Sequence, residues 1–155
     1  MKRQRFLIVL VVCVSVWSSR ALAEELDISD CRIVTGFYDL WEKSFFGREP
    51  NRVEVAAWIR LNSKLEYEFI LWEITPQREK TTWRGGAIPE NVLATAHTHP
   101  QKDDPKPSIP DVALAGRLGL PIYTISRKGI WKVTPGGAVS QEAGMGWSKA
   151  LDSCS

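Results

Sequence analysis

The sequence predicts an α+β fold, a mixed β-sheet flanked by helices, and three observations carry that expectation. Val53–Leu61 with Tyr67–Ile74, and Pro121–Ser126 with Ile130–Thr134, read as strand pairs joined by short turn-forming stretches. Between them Val92–His99 reads as a central strand, with Ala94 and Ala96 alternating against Thr95, His97 and His99. Helical apolar spacing lies before the first pair and again directly after the central strand. Strands interleaved with helices in this order belong to a layered α+β domain.

Taken in order, the chain begins with a targeting pattern. Lys2, Arg3 and Arg5 precede an apolar run from Phe6 to Trp17, and Ala21-Leu22-Ala23 supplies a small-x-small cleavage site. The expectation is a secretory signal peptide over residues 1–23, a single domain over 24–155, and a periplasmic or secreted protein with no stable membrane anchor after cleavage. The leader holds four basic residues and no acidic one, so the mature chain carries 16 basic residues (20 less 4) against 18 acidic. That balance removes the case for nucleic-acid binding. Cys31 and Cys154 are the cysteines left after cleavage. An even pair in an oxidising compartment predicts a disulfide.

Cys31 to Phe46 places Ile33, Val34, Phe37, Leu40, Trp41 and Phe45 at helical spacing, and Gly47 to Asn51 ends the run. Val53–Leu61 alternates Val53, Val55, Ala57 and Ile59 against Glu54, Ala56, Trp58 and Arg60, and Asn62-Ser63-Lys64 is the turn to the next strand. Thr81 to Arg84 could add a short strand. After the central strand comes a proline-rich loop, then a short helix over Asp111–Leu118 ended by Gly119. Arg127-Lys128-Gly129 turns the last hairpin, and beyond Pro135 only Trp147, Leu151 and Cys154 would anchor the tail. There is no internal repeat.

The chemistry concentrates in Thr95–Asp111. His97 and His99 are the two histidines of the chain, and residues i and i+2 of a strand share a face. Two imidazoles and the Asp111 carboxylate would supply three zinc ligands and leave a fourth position open, as catalytic sites do. Ser108-x-x-Asp111 before an apolar run is also a helix capping box, which by itself explains both residues without a metal. Hydrolysis at such a site needs a carboxylate base that is not a ligand. Of the upstream Glu54, Glu66, Glu68, Glu73 and Glu90, Glu54 stands out because Val53, Val55, Ala56 and Ala57 surround it. A carboxylate among apolar neighbours is costly to bury without compensation. A zinc deaminase is disfavoured because no Pro-Cys-x-x-Cys follows the histidines.

His97-Thr98-His99-Pro100, a short loop, and Ser108-Ile109-Pro110-Asp111 resemble the JAMM signature of the JAB1/MPN metallopeptidases. The wording Pro105-Lys106-Pro107-Ser108 is similar to the bacterial RadC-type branch. The resemblance spans roughly Glu54 to Pro135. It implies the cytidine-deaminase-like JAB1/MPN architecture, with His97, His99 and Asp111 as zinc ligands. It implies Glu54 as the base that moves a proton from the attacking water to the leaving amine, and Ser108 as a group that holds the water or steadies the oxyanion. The implied activity is cleavage of peptide or isopeptide bonds, with a peptide or protein as substrate. A non-catalytic binding or immunity-like module on the same scaffold is the alternative.

Overall fold

Asp30 starts the first helix. Its carboxylate accepts the Arg32 backbone N–H at 2.8 Å, satisfying one donor that a helix start leaves open. Helix α1 (Cys31–Lys43) buries Ile33, Val34, Phe37, Leu40 and Trp41, the face its spacing predicts. The structure, a computed structural model, describes residues 25–48, 53–73 and 87–154. The expected signal peptide and the expected strand at Thr81–Arg84 lie outside these residues.

The helix stops three residues short of the expected Phe46. Fully buried Ser44 donates its hydroxyl to the Trp41 carbonyl at 2.6 Å, and the chain then winds the other way. Phe45, Phe46 and Gly47 take φ values of +57°, +54° and +64°, a left-handed 3₁₀ turn. Its bonds run from Gly47 N–H to the Ser44 carbonyl at 3.1 Å and from Arg48 N–H to the Phe45 carbonyl at 3.0 Å. Left-handed backbone costs about 1–2 kcal/mol for each residue with a side chain. The reversal takes Phe45 off the helix's apolar face and leaves it 51% exposed. Phe46 meets the Tyr38 ring edge-on and the Arg48 guanidinium.

The strands are β1 (Ala56–Leu61), β2 (Tyr67–Leu71), β3 (Val92–Thr98), β4 (Ile122–Ser126), β5 (Gly129–Val133) and β6 (Val139–Ala143), with helix α2 (Ile109–Leu118) between β3 and β4. They form one six-stranded mixed sheet in the order β2-β1-β3-β4-β5-β6. The fold is therefore α+β, as the sequence predicts. Among the described residues only β3 and β4 run parallel, and α2 spans the crossover that a parallel pair requires. β6 is absent from the sequence-based expectation. Its residues Val139, Ser140 and Gln141 are exposed and it lies at the sheet edge, so it shows no apolar alternation to read.

Helix α1 covers one face of the sheet. Phe37 sits against Phe69 and Tyr123, with ring centroids 5.8 and 5.7 Å away. Val55, Ala57, Ile59, Ala94, Ala96 and Ile125 complete this cluster. Gly36 lets the helix come close, because a Cβ there would lie 2.2 Å from the Phe69 ring. Ala56, Trp58 and Trp72 face the other side with Leu114 and Leu118 of α2. The predicted disulfide between Cys31 and Cys154 is present, with the Cα atoms 5.4 Å apart across 123 residues of sequence. In the chain-entropy model such a bridge removes about 4–5 kcal/mol of unfolded-state freedom.

Candidate metal centre

The end of β3 and the start of α2 build the site between them. His97 pairs with Ala56 on β1 and Thr124 on β4, so its side chain emerges on the α2 face. The His99 backbone N–H donates to the Ile125 carbonyl at 2.8 Å and extends the alignment past the strand end. Ser108 caps α2, which begins at Ile109 rather than at the expected Asp111 because Pro110 fits a first turn that needs no N–H donor there. The Ser108 hydroxyl and backbone N–H both donate to Asp111 Oδ2 at 2.6 Å, and Asp111 N–H returns to Ser108 Oγ at 3.4 Å.

This cap aims Asp111 at the histidines. His97 Nε2 lies 3.0 Å from His99 Nε2 and 3.5 Å from Asp111 Oδ1, and His99 Nε2 lies 3.8 Å from Asp111 Oδ2. Tetrahedral zinc with nitrogen and oxygen ligands at its usual bond lengths spaces those ligands about 3.3 Å apart. The three separations bracket that value, so the group could hold a metal ion. The capping role and the candidate ligand role fall on the same aspartate.

The ring orientation of His99 is fixed from outside the triad. Its Nδ1 lies 2.7 Å from the Asp104 carbonyl oxygen, which can only accept, so Nδ1 carries the proton and Nε2 keeps its lone pair toward His97. Burial lowers the His99 pKa, and repulsion from His97 lowers it further, against the Asp104 bond and the charges of Asp111 and Glu54. Burial raises the Asp111 carboxyl, but the hydrogen bond and charge of His97 and the two Ser108 donors outweigh it and hold it well below the usual range. An imidazole held neutral beside a carboxylate held ionised is the state in which both act as ligands.

Glu54 is half-buried and stands two residues ahead of β1, not within it as the alternation suggests. The ladder frays here: the Val55 carbonyl still accepts the Thr98 backbone N–H at 3.0 Å, but the Val55 N–H goes to the Thr98 hydroxyl at 2.9 Å. Glu54 is close enough for its charge to act on His99. Ser108, exposed at the mouth, has its hydroxyl proton committed to Asp111.

The loop between His99 and Ser108 is held by groups the sequence does not advertise. The fully buried Thr124 hydroxyl donates to the Pro105 carbonyl at 2.7 Å. The Lys106 ammonium lies over the Trp131 ring, 5.3 Å from its centroid. Gln101 reaches back to the left-handed turn. The Asp104 carbonyl is backbone and carries no residue signal; Thr124 could have been flagged as the polar residue inside Ile122-Tyr123-Thr124-Ile125.

No protein-family model matches the chain, and no curated protein matches it in sequence.

Proposed function

We propose that the protein is an exported zinc-dependent hydrolase of the JAB1/MPN type, cleaving peptide or isopeptide bonds. The observation that carries the reading is the convergence of His97, His99 and Asp111, with a second carboxylate, Glu54, near enough for its charge to act on His99. Zinc held by the three would act as a Lewis acid and bring a water's pKa toward neutrality. Glu54 would take the proton of the attacking water and return it to the leaving amine, and Ser108, with both of its donors on Asp111, would keep that carboxylate aligned at the mouth. The disulfide suits an oxidising compartment, and among the described residues no helix is long and apolar enough to cross a membrane. Cross-linked cell-wall peptides or a delivered protein fit such a location as substrates.

The purified protein should hold about one zinc per chain by metal analysis. His97→Ala should lose it, and Glu54→Gln should keep it while abolishing peptide turnover. A metal-free wild type would refute the reading. A zinc-loaded wild type that turns over no peptide would instead favour the non-catalytic binding or immunity-like module.

A further inference from the structure

We infer that the left-handed Phe45–Gly47 turn is a buttress of the metal centre, and that Gln101 is the positioning residue through which it steadies His99. The inference rests on the metal-binding reading of His97, His99 and Asp111.

The turn and the histidine loop meet at Gln101. Its side-chain Nε2 donates to the Phe46 carbonyl at 2.8 Å, and its backbone N–H donates to the Gly47 carbonyl at 3.2 Å. Both acceptors belong to left-handed residues. A right-handed continuation of α1 would direct these carbonyls along the helix axis instead, as acceptors for the next turn. Reversal of the backbone is what presents them sideways to the loop.

Gly47 closes the contact. A Cβ there would lie 2.9 Å from Gln101 N and 3.2 Å from Pro100 Cα, so turn and loop approach at a distance that admits no side chain. Gln101 is two residues beyond His99. The Asp103 N–H donates to the Pro100 carbonyl at 3.1 Å, folding Pro100–Asp103 into one turn, and the next residue supplies the carbonyl that fixes the His99 ring. A displacement at Gln101 is therefore passed to the Asp104 carbonyl and on to the ring.

The strain itself argues for this role. Two bulky residues in succession occupy a region that non-glycine residues visit singly. Core packing explains only part of it: Phe46 packs half-buried against the α1 cluster, while Phe45 stays half exposed. Strained backbone persists where the surrounding structure over-determines it, and the over-determining contact here is with the loop of the candidate ligands.

The test uses zinc itself, measured by competition against a chelating dye, together with the melting temperature of the metal-free protein. Gln101→Leu, which removes the Nε2 donor, should weaken zinc binding about tenfold, as the loss of an outer-sphere partner does. Gln101→Glu, which turns an acceptor toward the Phe46 carbonyl, should weaken it at least as much. Gln101 is a half-buried loop residue outside the core, so in both variants the metal-free melting temperature should move by no more than about 4 °C. The visible absorption of the Co²⁺-loaded protein should change in both variants, since the bands follow the direction of the ligand lone pairs. Wild-type zinc affinity in Gln101→Leu, or affinity lost only in step with melting temperature, overturns the inference and leaves the metal centre standing. Absence of zinc binding in the wild type overturns the metal centre, and the inference with it.

Discussion

The two faces of the sheet are built from the same six strands and do different work. The α1 face is largely apolar, with Phe37, Ile59, Ala94, Ala96 and Ile125 all fully buried and Thr98 and Tyr123 as its buried hydroxyl-bearing side chains. The α2 face carries the buried polar side chains Thr95, His97 and Thr124. Each of these has a partner: Thr95 donates to the Ala57 carbonyl at 2.9 Å, Thr124 to Pro105, and His97 lies against His99. Burying a polar group costs free energy that its hydrogen bond largely offsets, whereas burying a phenyl ring is a net gain. The α1 face thus supplies stability, and the α2 face converts some of it into fixed polar geometry. The left-handed turn at the end of α1 is where the stable layer reaches across to the chemical one.

Substitutions on the two faces should separate cleanly. Phe37→Ala removes the ring at the centre of the α1 cluster, and a loss of about 3–5 kcal/mol in denaturant unfolding is expected. Zinc stoichiometry below its lowered melting temperature should stay at the wild-type value. A variant that lost zinc while still folded would break the division between the faces.

Thr124→Val sharpens the same division from the other side. The side chain keeps its shape and loses the hydroxyl that holds the Pro105 carbonyl, so about 1 kcal/mol of stability should go. Zinc affinity should fall about tenfold, because the loop that orients His99 loses its anchor on β4. The larger stability effect therefore belongs to α1 and the larger effect on metal binding to α2. Equal zinc affinity in Thr124→Val would mean that the Asp104 carbonyl keeps its place without that anchor.

How much of this was legible in the sequence follows from what kind of atom does the work. Periodicity located α1, α2 and the five strands with apolar or alternating residues, and side-chain identity located His97, His99 and Asp111. Ser108-x-x-Asp111 announced the cap, and the cap proved to be what points the carboxylate. β6 escaped because an exposed edge strand such as Val139–Ala143 has no apolar face to pattern. The left-handed turn escaped because Phe45 and Phe46 are residues that ordinarily avoid that backbone, and Phe45 continues the helical spacing. The loop between His99 and Ser108 is pinned through backbone carbonyls at Phe46, Asp104 and Pro105, which no residue pattern encodes.

The smallest effect expected is in the pH dependence of stability, where the faces should respond at opposite ends. His99, on the α2 side, has its pKa lowered by burial and then by His97. Between that lowered value and the ordinary one near 6.5, the unfolded chain binds a proton that the folded chain refuses. Stability is then present above about pH 6.5 and is lost as pH falls toward the folded value. Asp111, also lowered, adds a further loss of the same sign below the ordinary carboxylate range. Tyr123, on the α1 side, is raised by burial and then by the Glu142 and Glu25 charges. Its contribution is present below about pH 10 and is lost as pH climbs from there, because only the unfolded chain ionises. Melting curves of the metal-free protein across pH should show both limbs. His99→Gln should flatten the one near 6.5, and Tyr123→Phe the alkaline one. If the limb near 6.5 survives in His99→Gln, the acid sensitivity arises elsewhere than in the candidate metal centre, and the assignment of the acid limb to the α2 face and the alkaline limb to the α1 face fails.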